Sequence, residues 1–128
     1  MSLKNTRNKE FIKKKVKLGF RGYPVATMAC YGIDSQSASK LVIGIIEKDG
    51  DEPLLRKWFA DSGDIRNCPE IIDEISDFLR ENSVKSVISA GRVIGCPHEE
   101  GVDYPLGESC PSCPFWRNKD RWSGNTIQ

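Results

Sequence analysis

The distribution of apolar and polar positions in the middle of the chain predicts three strands. Apolar and β-branched residues are concentrated in residues 25–32, 40–47 and 54–60, a composition that is typical of strands. The stretch KDGDEP separates the second segment from the third, and its Asp-Gly pair favours a hairpin turn. We therefore expect these strands to form an antiparallel meander.

Residues 67–82 have the clearest helical pattern in the chain. Pro69 stands in the first turn, where a missing N–H has no helical partner to lose, and acidic residues follow it near the positive end of the helix dipole. The apolar side chains recur at helical spacing and form one stripe, made of Ile71, Ile72, Ile75, Phe78 and Leu79. Residues 85–90 and 93–94 then predict a buried strand, parallel to a sheet neighbour after the helical crossover.

The element order β-β-β-α-β indicates a small α/β (or α+β) domain with a mixed sheet. Its 128 residues suit a single domain, which we expect to span residues 18–128 and to include a C-terminal loop at 95–116. The same order opens the ribonuclease H-like folds, whose enzymes need carboxylates at set strand positions. The first predicted strand contains none, so we set that function aside.

The N-terminal segment differs from the rest of the chain in charge and in pattern. Residues 1–17 lack a sustained apolar pattern, and we expect a flexible basic arm there, or a short strand or helix that docks on the domain. Residues 1–21 hold eight cations and one acid, a net charge of +7, whereas the whole chain has a net charge of +1. The remainder is therefore acidic, at about −6.

A lysine-rich arm can bind nucleic acid or an anionic membrane surface, or it can simply be solvated. The acidic remainder argues against a broad phosphate-binding face, so a nucleic-acid role is an alternative that we do not favour. The sequence identifies no other partner, no substrate and no oligomeric state.

Composition also bears on the cellular compartment. No apolar run approaches the roughly 18 residues that span a bilayer, and the N-terminus lacks the apolar stretch of a signal peptide. The mean hydropathy is −0.45 and the cysteine count is five, an odd number. We therefore expect a cytoplasmic protein that does not enter the membrane, with clustered cysteines that are metal ligands or redox groups rather than disulfide partners.

Three cysteines and the only histidine follow the last predicted strand closely. The ligand candidates are Cys96, His98, Cys110 and Cys113, spaced C-x-H-x11-C-x2-C. Cys3His is a standard tetrahedral set for structural Zn²⁺, and the glycines and prolines between the two pairs can fold the chain back on itself. We predict a Zn²⁺ site here, with iron as the alternative metal at a mixed thiolate and imidazole site.

Glu99 and Glu100 adjoin His98. One interpretation is that they support the imidazole through its second ring nitrogen, as carboxylates commonly do in metal sites. The other is that they belong to a solvated loop.

Parts of the same pattern fit two other chemistries. Zinc deaminases use H-x-E followed by P-C-x-x-C, which would make Glu100 the general acid/base. However, Ser109 stands where that motif has proline, and Cys96 would fill the position that a catalytic water needs. A zinc-dependent hydrolase or deaminase is therefore the rival function.

A redox pair at Cys110 and Cys113 is another alternative. Such a pair would normally open a helix, but prolines follow both cysteines and favour a turn.

The other cysteines and the C-terminal aromatics have plainer interpretations. Cys30 and Cys68 are predicted to pack in the core, with Cys68, at a helix N-terminus, as a reserve ligand. The tail FWRNKDRW interleaves aromatic and basic residues, a mixture that can stack on bases. We favour packing of Trp116 and Trp122 against the metal loop instead.

The run GCPHEEGVDYPLGESCPSCPFWRNKDRW resembles the C-terminal signature of a family of short prokaryotic proteins, a domain of unknown function. In that family a CPHEEG stretch precedes a CPxCP stretch that ends in an aromatic residue and tryptophan. GYPVATMACYG and RKWFADSGDIRNCPEI are similar to the same family. The resemblance covers residues 20–122, omits the basic arm and implies a shared metal cluster at the four candidate ligands, but no activity. The sequence thus predicts a binding or accessory module with a structural zinc site.

Overall fold

The computed structural model describes residues 3–99, 101–108 and 110–116. Its helices and strands are α1 (Leu3–Leu18), β1 (Val25–Tyr31), β2 (Lys40–Ile46), β3 (Leu54–Phe59), α2 (Pro69–Glu81) and β4 (Ser86–Val93). Two single-turn 3-10 helices, Ile65–Asn67 and Pro114–Trp116, complete the described elements. The predicted α/β class with a mixed sheet is confirmed, although a helix precedes the predicted β-β-β-α-β order.

The four strands form one sheet in the order β3-β2-β1-β4. β1 pairs antiparallel with β2, and β2 pairs antiparallel with β3, which confirms the predicted meander. β4 returns through the α2 crossover and pairs parallel with β1, again as predicted. The carboxyl ends of β1 and β4 therefore lie at the same edge of the sheet.

The main core lies between the sheet and α2. Four residues of the α2 stripe share one buried core with side chains from all four strands, including Ala26, Ile43, Trp58 and Val87; these four are Ile71, Ile75, Phe78 and Leu79. Burying each large apolar side chain stabilises the fold by about 1.5–3 kcal/mol, so this layer supplies most of the apolar stabilisation. Cys30 is buried within this core and Cys68 packs against it, as predicted for both.

The basic N-terminal segment forms a docked helix, which was the alternative to the predicted flexible arm. Asn5 and Asn8 on α1 are almost fully buried, and both donate through Nδ2 to α2, to the Pro69 carbonyl at 2.7 Å and to Asp73 Oδ1 at 2.8 Å respectively. Arg80 Nη1 donates in turn to Asn8 Oδ1 at 2.8 Å. Because polar side chains make much of this interface, an apolar pattern does not reveal the helix.

None of the helices in the described ranges is both long enough and apolar enough to cross a membrane.

Candidate metal centre

The sheet edge positions the first pair of candidate ligands. Beyond the ends of β1 and β4 the parallel pairing continues, with Ile94 N–H donating to the Cys30 carbonyl at 2.9 Å and Gly32 N–H to the Gly95 carbonyl at 2.8 Å. These bonds hold the chain up to Cys96. The chain then bends, so that the His98 N–H lies 3.3 Å from Cys96 Sγ, and the imidazole returns towards the sulfur.

The second pair lies on a turn, as the prolines predict. The Cys113 N–H donates to the Cys110 carbonyl at 3.4 Å, and the 3-10 helix Pro114–Trp116 follows directly. Trp116 Nε1 donates to the Gly32 carbonyl at 2.7 Å. This hydrogen bond ties the second pair to the end of β1, close to where the first pair begins. The predicted packing of Trp116 on the loop is confirmed, whereas Trp122 lies outside the described residues.

A compact loop connects the two pairs. Glu99 and Asp103 close a turn, because the Glu99 N–H donates to Asp103 Oδ2 and the Asp103 N–H to the Glu99 carbonyl, both at 2.7 Å. Gly101 has a φ of +82° within this turn, a conformation that glycine adopts without strain. Tyr104 follows and is buried beside the three cysteines. The loop is therefore folded back on itself, as the metal prediction requires.

The four candidate side chains converge on one point. One ligand atom from each of Cys96, His98, Cys110 and Cys113 lies within 4.8 Å of the other three. His98 Nδ1 is 3.2 Å, 3.3 Å and 3.4 Å from the Sγ atoms of Cys96, Cys110 and Cys113. A tetrahedral Zn²⁺ site has nitrogen–sulfur separations of about 3.6 Å, given its usual bond lengths. The group has the size and the donor atoms to hold a metal ion.

Electrostatics also favour a cation among the sulfurs. Burial raises the pKa of the thiols of Cys96 and Cys113, and for Cys113 the neighbouring sulfurs raise the pKa further. Burial opposes ionisation of Cys110 too, but contacts with Cys96 and the N–H groups of Ser112 and Cys113 outweigh it and lower the pKa of Cys110. Three thiolates this close repel each other, and a divalent cation would remove that repulsion by accepting all three sulfurs.

Two lysines that sequence reasoning did not identify adjoin the cluster. Lys40 Nζ donates to the Pro97 carbonyl at 3.2 Å and to Glu99 Oε1 at 3.1 Å, and Lys57 donates to the same carboxylate. The Lys40 side chain is only 7% exposed. A buried charge is stable only when it is paired and hydrogen-bonded, so this contact connects the loop firmly to β2. The available signal was a lysine at the start of an otherwise apolar strand.

Glu99, one of the two glutamates considered as support for His98, binds two lysines. Within the described residues Glu99 makes no hydrogen bond to His98, and its carboxylate accepts from Lys40 and Lys57 instead. The two lysines lower the pKa of Glu99, chiefly through these hydrogen bonds and most strongly through that of Lys57. Glu100 and Ser109 lie outside the described residues.

A cavity of about 360 Å³ opens beside the cluster, between the loop and the sheet face opposite to α2. Its lining includes Lys40, Lys57, Glu99 and His98.

Cys68, considered above as a reserve ligand, is not part of the group of candidate ligands. It lies directly before α2, where its thiol donates to Glu70 Oε2 at 3.5 Å.

No family model matches the chain, and the chain is not significantly similar to any curated protein or solved structure with which it was compared. The resemblance to the prokaryotic family stays a prediction, and function is argued from the geometry of the cluster.

Proposed function

We propose that Cys96, His98, Cys110 and Cys113 bind one Zn²⁺ in a structural site, and that the chain is a small binding or accessory module. The observation that carries the proposal is the convergence of all four donors within 4.8 Å, Cys96 included. Structural zinc sites have four protein ligands, whereas catalytic sites have three and a water. Because four donors already complete a tetrahedron, the arrangement supports a closed site.

The scarcity of apolar burial in the loop supports a structural role. Among the described residues, the cluster around the candidate ligands buries Tyr104 and the three cysteines, with Trp116 packed alongside. Four such residues offer little hydrophobic stabilisation. Structural Zn²⁺ contributes an apparent free energy of about 10–16 kcal/mol in small zinc domains at neutral pH, enough to order a loop of this size.

Charge balance supports a divalent cation such as Zn²⁺. Three thiolates, a neutral imidazole and Zn²⁺ carry a net charge of −1. Lys40, Lys57 and Glu99 together carry +1 and adjoin the cluster. A closed Zn²⁺ site is therefore neutralised locally, which reduces the cost of burying it. Thiolate ligands persist in a reducing compartment, so the proposal includes a cytoplasmic location.

Metal analysis of untagged protein tests the proposal. We expect about one equivalent of zinc per chain, and in the Co²⁺-substituted protein the absorption bands of a tetrahedral thiolate site. Cys30→Ser, outside the cluster, is the matched control and should retain the metal. Zinc near zero, with iron also absent, would overturn the proposal, whereas one equivalent of iron would change only the identity of the metal.

Cys96→Ser separates the structural site from the rival hydrolase or deaminase with Glu100 as acid/base. Loss of metal together with loss of the folded loop supports the structural site. Full retention of metal with a coordinated water, seen as a changed Co²⁺ spectrum, would favour the catalytic alternative.

A further inference from the structure

Apart from Lys4, whose charge acts on Asp73 of α2, the cations of α1 form two groups with different surroundings. Lys9 and Lys15 face the domain, where their Nζ atoms donate to Asn67 Oδ1 at 3.2 Å and to the Lys85 carbonyl at 3.4 Å. The second group, Arg7, Lys13, Lys14 and Lys17, is exposed and lines a shallow groove of about 520 Å³ together with Glu10 and Phe11. We call this second group the outer cations.

The outer cations have no ionic partner in the part of the chain that the structure describes: the four salt bridges there involve other residues. With four cations and one acid, the groove has a net charge of +3. Lys13 and Lys14 also lie one turn from Lys17, and like charges at that spacing repel and destabilise a helix. An anionic partner would relieve this repulsion.

The position of the outer cations is set by the opposite side of the helix. Asn5 and Asn8 fix α1 to α2 through buried hydrogen bonds, so the cations form a stripe of defined length. Residues 7–17 of a helix span about 15 Å. Along a nucleic-acid duplex one strand presents a phosphate about every 3.4 Å of axis, so the stripe can reach about four phosphates of one strand.

Packing of α1 argues against a membrane as the partner. Three of its apolar side chains, Phe11, Ile12 and Val16, pack against the main core, and the exposed Leu3 and Leu18 stand at opposite ends of the helix and form no continuous apolar face. Amphipathic helices bind membranes by burying an apolar face among the lipid headgroups, and here that face is already occupied by the domain.

We propose that the outer cations of α1 bind the phosphate backbone of nucleic acid without reading its base sequence. The acidic remainder of the chain, at about −6, confines the contact to this stripe. Affinity should then depend steeply on salt, because each neutralised phosphate releases counterions.

Fluorescence anisotropy with two short labelled DNA duplexes of unrelated sequence tests this proposal on the full chain. Four contacts predict a slope of about −3.6 in log affinity against log salt concentration, or a loss of roughly 100-fold between about 50 and 200 mM salt. Both duplexes should bind equally. Absence of binding at about 50 mM salt, or binding that does not change with salt, would overturn the proposal, as would binding to phosphatidylglycerol vesicles but not to DNA.

Charge variants assign the binding to the stripe. Lys13→Gln/Lys14→Gln/Lys17→Gln should reduce the slope to about −1, with circular dichroism to show that the helices are retained. Lys48→Gln, which removes one charge from the β2–β3 turn, is the control and should leave the slope unchanged. If the triple variant does not fold, Lys14→Gln alone should reduce the slope by about 0.9, and an unchanged slope in the folded variant would contradict the assignment.

Discussion

The part of the molecule formed by the sheet and its helices, called the body here, has one core of fifteen buried side chains. The cluster in the C-terminal loop buries four described residues, and three of those are cysteines. The body gains its stability from apolar area removed from water, and this hydrophobic stabilisation is non-directional. The loop instead brings four candidate ligand atoms within 4.8 Å of one another, and in the proposed site a metal ion would hold them together. Under that proposal the two regions are ordered by different physical means and should respond differently to the same perturbations.

The largest expected effect is that of metal removal. If the proposed site is correct, a strong chelator should abolish amide-exchange protection in residues 96–116, because the free energy of binding at a structural zinc site is folding free energy. Protection in β1, β2 and α2 should persist. Hydrogen exchange before and after chelation measures both regions at once, and global unfolding on chelation would show that the body depends on the loop.

The converse perturbation is a cavity in the body. Leu79 is 1% exposed, so Leu79→Ala should lower the free energy of unfolding by about 2–5 kcal/mol. Leu106→Ala in the loop, where the side chain is 78% exposed, should change it by less than about 0.5 kcal/mol. Urea unfolding of the zinc-loaded protein provides both values. We expect Leu79→Ala to keep its zinc, and loss of the metal in the folded variant would argue against two separate means of stabilisation.

The contact between the two regions is tested at Lys40. Lys40→Met keeps much of the volume but leaves the Pro97 carbonyl without its donor and Glu99 with one lysine fewer. Loss of a group that supports ligands typically weakens metal binding by about 10–100-fold. Competition with a chelator measures the zinc affinity, and Lys48→Met on an exposed turn is the control. Equal affinities in the two variants would mean that Lys40 does not support the site.

The hydrogen bond from Trp116 is a smaller contact between the same regions. Trp116→Phe retains an aromatic ring but removes the donor to the Gly32 carbonyl, which should cost about 0.5–1.5 kcal/mol. The loop should therefore open roughly tenfold more often. Amide exchange at residues 110–116 in the zinc-loaded protein measures this opening. No change in exchange would show that the metal alone holds the turn.

The smallest effect is a pH dependence confined to the body. Hydrogen bonds from Arg66 lower the pKa of Asp64, which also accepts from the Arg66 N–H at the start of the 3-10 helix before α2. Stability from this pair is present above the ordinary aspartate pKa and is lost as the pH falls through the lowered value. The midpoint temperature of thermal unfolding should therefore fall more steeply below about pH 4 in the wild type than in Asp64→Asn. Parallel declines would show that the pair adds no stability.

Strands and helix α2 could be predicted because their signals are local: β-branched runs, an Asp-Gly turn and one apolar stripe are visible within short windows. For residues 1–17 the sequence left a flexible arm and a docked helix or strand open, because α1 docks partly through Asn5 and Asn8, which bond to α2 residues about 65 positions away. The lysines beside the candidate ligands were missed because their contacts also join distant positions, since Lys40 and Glu99 are 59 residues apart. Only the register of β2 and the return of β4 bring them together.

By itself the sequence determined the four candidate ligands and their spacing, the meander, the crossover and the concentration of positive charge near the N-terminus. Tertiary structure decided that the Cys96 sulfur lies with the other three donors, that Lys40 and Lys57 adjoin them, and that the basic segment is a helix with its cations turned outward. The physical reason is the range of the interactions. Propensity and periodicity act over a few residues, whereas the parallel pairing of β1 with β4 and the buried asparagines of α1 connect distant parts of the chain.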